Sequence, residues 1–97
     1  MTIEIKRNAE QTTIELVGRL DTTTAPALQK TIAEDLDTKD LILDLKGLEY
    51  ISSAGLRVLL TAQKKMNAVG SMKLLNVSEI VMEVFEMTGF VDILTIE

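Results

Sequence analysis

A chain of 97 residues, 46% hydrophobic and 26% charged, has material for one compact core and is read as a single domain over residues 1–97. The absence of Cys and His excludes thiol nucleophiles, imidazole bases, Ser-His-Asp triads and nearly all structural zinc sites, so no cofactor or metal is expected. A net charge of −5 with 3% aromatic residues argues against a nucleic-acid binder, which needs a basic field and stacking platforms.

The opening residues MTIEIKR alternate in charge and hydrophobicity, unlike a signal peptide, and no apolar run approaches the roughly 20 residues of a membrane span. A cytoplasmic protein is expected. Thr2–Arg7 alternates as a half-buried strand, with Ile3 and Ile5 on one face. Asn8-Ala9-Glu10 reads as a turn into a second strand, Thr12–Val17, with Ile14 and Leu16 inward and an antiparallel hairpin between the two. Gly18-Arg19-Leu20-Asp21 breaks the strand pattern. Three threonines before Pro26 then signal a helix start. Ala25, Leu28, Ile32 and Leu36 recur at helical spacing, and Glu34, Asp35, Asp37 and Asp40 form a solvated acidic rim that a partner could also use.

The near-continuous apolar run Leu41–Leu45 predicts a central strand covered on both faces. Gly47–Ile51 is read as a loop, leading to a helix with Gly55, Leu59, Ala62, Met66 and Val69 along its inner stripe. Arg57, Lys64 and Lys65 lie on its opposite face, and Gly70 stops it. Met72–Val77 is a further strand, parallel to the third through a right-handed crossover. Ser78 caps the last helix, with Val77 and Met82 as a staple and Ile80 or Val81, Val84, Phe85 and Thr88 inward; Gly89 ends it. Val91–Ile96 reads as a short closing strand. Met66, Met72, Met82 and Met87 are expected to fill gaps in or near the core. The order ββαβαβαβ predicts an α/β fold, a mixed sheet with helices packed against it.

Functional chemistry concentrates where Leu41–Leu60, LILDLKGLEYISSAGLRVLL, passes into its helix at Ser52-Ser53. Loops beyond the C-terminal ends of strands gather sites in α/β units. Gly18–Thr22, Gly47–Ala54 and Asn76–Ser78 are such loops, so Asp21, Ser52, Ser53 and Asn76 are expected to share a polar surface. A phosphate on Ser53 would add about −1.5 to −2 charges beside the positive helix end, with the amides of Gly55 and Leu56 stabilising it. Ser at a helix start followed by Ala-Gly is also explained, and from physics alone more readily, as an N-cap with close packing; both readings stay open. Gly18-Arg19-Leu20-Asp21 lacks the Gly-Lys-Ser/Thr of a phosphate-binding loop, and Asp44 and Glu49 make no catalytic pair. No motif supports an enzyme.

The combination of Gly18-Arg19-Leu20-Asp21, LILDLKGLEYISSAGLRVLL and NVSEIVMEVFEMTGFVDIL, in that order over essentially the whole chain, resembles the STAS family, and within it the stand-alone bacterial anti-sigma factor antagonists (anti-anti-sigma factors). The resemblance implies a STAS-like (SpoIIAA-like) fold. It also implies a protein that binds an anti-sigma factor that is an ATP-binding serine kinase, freeing a sigma factor until the kinase phosphorylates it; a phosphoserine phosphatase resets the switch. Carried over, the phosphorylated serine falls on Ser53, with Ser52 as second choice, and the partner surface on Asp21, Thr22, Ser52, Ser53, Ala54, Gly55, Arg57 and Asn76. The family often has Asp where Ser52 stands, and many relatives continue past the position of Glu97 into a further helix, whose absence would leave part of the sheet or a helix flank exposed. An alternative use of the same family is as an accessory subunit of an ABC-type membrane transport complex, acting by protein–protein contact, with Ser53 mainly a cap.

Overall fold

A computed structural model describes residues 1–8, 10–34 and 38–97. The chain runs β1 (Thr2–Arg7), β2 (Gln11–Leu20), α1 (Ala25–Glu34), β3 (Asp40–Ile51), α2 (Ser53–Val69), β4 (Ser71–Leu75), α3 (Glu79–Thr88) and a 3₁₀ turn (Phe90–Asp92). The four strands lie side by side in chain order; β1 is antiparallel to β2, and β2, β3 and β4 are parallel. The predicted hairpin and crossover are both present. Asn8 holds the turn between β1 and β2, its Oδ1 accepting from the amides of Glu10 and Gln11, while Ala9 lies outside the described residues.

Period-two alternation decides the sheet's inner face. Ile14 and Leu16 of β2, Leu41, Leu43 and Leu45 of β3, and Met72 and Leu74 of β4 are all buried. They meet Ala25, Leu28 and Ile32 of α1, Leu56, Leu59, Ala62 and Met66 of α2, and Val81 and Phe85 of α3 in one core. Each large side chain fully withdrawn from water contributes roughly 1.5–3 kcal/mol. The intervening residues Thr13, Glu15, Ile42, Asp44 and Lys73 are only half-buried. Among the described residues the expected double cover of β3 is therefore absent: the helices pack on one face alone.

The second correction concerns length. Gly47–Ile51 is strand, not loop, because β3 carries two bulges against β2. Between the pairs Glu15↔Asp44 and Val17↔Gly47 β3 advances by one residue more than β2, and again between Gly18↔Leu48 and Arg19↔Tyr50. The Asp44 carboxylate accepts from the amide of Lys46, which fixes the first bulge locally. Gly18, at φ 108°, lets β2 continue through the matching bend to Leu20 rather than break there. β4, by contrast, ends at Leu75, where Asn76 turns the chain at φ 57°.

Smaller differences have equally local causes. Gly70 ends α2 by close approach rather than left-handed geometry, since a Cβ there would collide with the Lys39 carbonyl. Gly89 does adopt the left-handed cap, at φ 79°. Ser78 caps α3 as expected, accepting from the amide of Val81, with Val77 and Met82 half-buried beside it. Val69 and Thr88 are exposed, off the inner stripes assigned to them; of the alternatives Ile80 and Val81 it is Val81 that is buried; and Met87, at 86% exposed, fills no gap in the core. Asp40 opens β3 and accepts from the Ser71 hydroxyl instead of ending α1. Asp35, Leu36 and Asp37 lie outside the described residues. The closing strand reduces to one bridge, Leu74↔Ile96, along the outer edge of β4.

Candidate functional site

β2 and β3 end together, and the site is built on that shared end. Leu20 pairs with Ile51, and the amide of Ser52 donates to the Leu20 carbonyl at 2.9 Å, tying the start of α2 to the loop that follows β2. α2 enters so close to the sheet that a Cβ on Gly55 would lie 2.7 Å from Leu20 Cγ and 3.0 Å from Ile51 Cγ1. Only glycine fits. This identifies the close approach that the glycine in the first helical turn implied.

The two adjacent serines separate into different roles. Ser52 is the N-cap: its Oγ accepts from the Gly55 amide at 3.4 Å and its carbonyl accepts from Leu56 at 2.9 Å. The two amides expected to meet a phosphate are thus committed to Ser52. Ser53 is the first helical residue, exposed, and its Oγ enters no hydrogen bond among the described residues. The amides of Ser53 and Ala54 have no intrahelical carbonyl to donate to, and these would face an anion on Ser53.

Asp21 organises the facing loop. Its Oδ1 accepts from the Thr23 hydroxyl at 2.7 Å, the Thr23 amide at 3.0 Å and the Thr24 amide at 3.2 Å. These bonds, that from the Thr23 hydroxyl foremost, hold the Asp21 carboxyl below the ordinary carboxylate range. The Thr24 hydroxyl donates to the Arg19 carbonyl and accepts from the Asp21 amide, closing the turn into α1. Asp21 is therefore the device that starts α1, and it leaves Thr22 exposed toward α2.

A shallow groove of about 180 Å³ runs between the two helices, lined by Thr22, Ala25 and Pro26 from the α1 side and by Ala54, Arg57 and Val58 from α2. Asp21, Thr22, Ser52, Ser53, Ala54, Gly55 and Arg57 accordingly occupy one end of the molecule, Gly55 buried beneath it. Asn76 does not join them. Its Nδ2 donates to Asp44 Oδ1 at 3.0 Å, and seven further residues of β3, roughly 20 Å of strand contour, carry the sheet from Asp44 to Ile51.

One feature of this end is not apparent in the sequence. The Arg19 guanidinium stacks over the Tyr50 ring at 4.2 Å from its centroid, with Arg19 Nε 3.9 Å from Asp21 Oδ2. Arg and Tyr are favoured anchors of protein interfaces. The only sequence signal is their position within the two flanking motifs, because their pairing depends on the second bulge.

Comparison with known proteins gives a consistent picture. The STAS domain profile matches residues 2–97. The anti-sigma-B factor antagonist of Bacillus subtilis is 31% identical over 96 residues, spanning 97% of this chain and 88% of its own. BtrV of Bordetella bronchiseptica, named as a candidate anti-sigma factor antagonist, is 40% identical over 81 residues, or 80% of this chain and 70% of its own. The anti-sigma factor antagonist SpoIIAA superposes in its unphosphorylated form with a TM-score of 0.85 at 23% identity, over 99% of this chain and 88% of that one. That likeness establishes the shared fold. No described helix is long and apolar enough to cross a membrane.

Proposed function

Because the chain belongs to the STAS domain family, we propose that it is a regulatory binding protein, an anti-sigma factor antagonist acting in the cytoplasm as a single domain. It docks on an anti-sigma factor through the end of the molecule formed by Asp21, Thr22, Ser52, Ser53, Ala54 and Arg57, and so releases a sigma factor. The anti-sigma factor is a serine kinase that transfers the γ-phosphoryl group of ATP to Ser53 Oγ, and a phosphatase removes it. The observation that carries this reading is the division of labour between the serines. Ser52 is consumed by capping, and Ser53 presents an unused hydroxyl at a helix start. The names of the relatives support the same reading.

The switch follows from charge. Phosphorylation adds about −1.5 to −2 charges, which the helix N-terminus tolerates within its own chain. A partner surface shaped to a neutral hydroxyl meets repulsion and a desolvation cost of a few kcal/mol, more than tenfold in affinity. The test is calorimetric titration of the anti-sigma factor with Ser53→Ala and Ser53→Asp variants. Ser53→Ala retains binding and resists phosphorylation, whereas Ser53→Asp binds at least about tenfold more weakly. Equal binding by both variants would overturn the switch, and phosphate mapped to Ser52 by mass spectrometry would move it.

A further inference from the structure

The two edges of the sheet are finished differently. At β4 the outer edge is occupied: the Leu74 amide donates to the Thr95 carbonyl and the Glu97 amide to the Leu74 carbonyl, with Lys73 and Glu97 paired at 3.4 Å. At β1 the outer edge carries no strand among the described residues. A six-residue strand with one side unpaired presents a row of backbone donors and acceptors, which natural proteins blunt with charge or covering structure. Ile5, on the core-facing side and opposite Ile14, is 41% exposed where the core runs out at this edge.

Charge does not simply blunt β1, because its signs alternate. Glu4 and Lys6 point to the open face, one on each side of Ile5. Glu4 stands opposite Glu15, which stands opposite Asp44, so one row across the sheet holds three carboxylates. Like charges directly opposite are unfavourable. Lys6 bonds to Glu15 at 3.0 Å and leaves Glu4 at the outer end of that row.

We propose that the free edge of β1 is a docking site for a second copy of this chain, joined by antiparallel pairing of β1 with the partner copy's β1, centred on Ile5. Two identical edges meeting antiparallel must keep like faces together, so the numbers of opposed residues sum to an even value. One such register sets Glu4 against the same glutamate of the second copy, and another sets Lys6 against the same lysine. Only the register that places Ile5 against Ile5 of the second copy sets each Glu4 opposite a Lys6. It supplies each end of the carboxylate row with a cation and covers the exposed Ile5. The charges thus select one register instead of forbidding all of them. This contact lies away from the Leu20–Ile51 end and does not depend on the functional reading above.

Sedimentation of the purified chain at low ionic strength, where exposed charge pairs are least screened, tests this directly. The wild-type chain shows a reversible monomer–dimer equilibrium that weakens with salt. Glu4→Lys and Lys6→Glu, each placing like charges opposite one another, weaken it by about tenfold. Mixed in equal amounts, the two variants form a heterodimer, because one edge then carries two cations and the other two anions in the same register. That recovery cannot come from misfolded chains. Hydrogen exchange in β1 slows with rising protein concentration. A wild-type chain that stays monomeric at millimolar concentration, variants that associate as the wild type does, or a dimer without protection in β1 would each overturn the proposal.

Discussion

The entrances of α2 and α3 are built to one plan, and the contrast between them lies at the first and third helical positions. Each begins with a serine N-cap whose Oγ accepts from the amide three residues on, at 3.4 Å for Ser52 and 3.3 Å for Ser78. At the first helical position α3 has Glu79, a permanent anion at the positive helix end, whereas α2 has the neutral Ser53. At the third, α3 buries Val81 and α2 has no room for anything beyond Gly55. The difference teaches what a switchable helix start requires. In the proposed switch the anion is withheld until a kinase supplies it, and the chain beneath the site is packed closely around Gly55.

The largest effect of breaking this contrast is expected at the third position. Gly55→Ala pushes a methyl into Leu20 Cγ and should lower stability by about 1–3 kcal/mol in urea unfolding, despite the better helix propensity of alanine. Val81→Ala also loses stability, but by leaving space rather than overfilling it. Next come the caps. Ser52→Ala and Ser78→Ala should each cost about 1 kcal/mol, and Ser52→Ala should leave phosphorylation at Ser53 intact. Should Ser52→Ala instead abolish phosphorylation without unfolding the chain, the assignment of the two serines would be reversed. The smallest effect is at the first position, where Ser53→Glu makes α2 resemble α3. It should raise thermal stability by about 0.3–1 kcal/mol, and Glu79→Ser should lower it by a similar amount. A stability loss in Ser53→Glu would show that the helix start cannot host the anion.

Where sequence pattern succeeds, the deciding physics is local. Ile14, Leu16, Leu41 and Leu43 alternate because a strand's faces do, and that alternation survives any tertiary arrangement. It fails at Gly47–Ile51 because two bulges change the period, and a bulge belongs to a pair of strands rather than to one. The misplacement of Asn76 has the same origin. β3 outruns β4 by the whole stretch beyond Asp44, so the ends of successive strands do not share a surface. Met87 escapes its expected place for a different reason: α3 offers apolar residues on adjacent stripes, Ile80-Val84-Met87 and Val81-Phe85, and only packing chooses between them. The candidate site is legible as a cluster of motifs, and the family resemblance carries the function proposed for it. The roles of Ser52 and Ser53 are not legible, since a cap is defined by the backbone angles of one residue.

The order of the strands in space is the order of the chain. During synthesis, each strand that leaves the ribosome therefore finds its partner already made, and none has to insert between two that are paired. The hairpin of β1 and β2 forms from neighbouring residues, and each helix then delivers the next strand to the growing side of the sheet. The bridge of Ile96 to Leu74 comes after all of these and closes that side. Vectorial growth of this kind exposes, besides the outer edge of β1, one incomplete edge at a time, which shortens the interval in which nascent chains can aggregate through it.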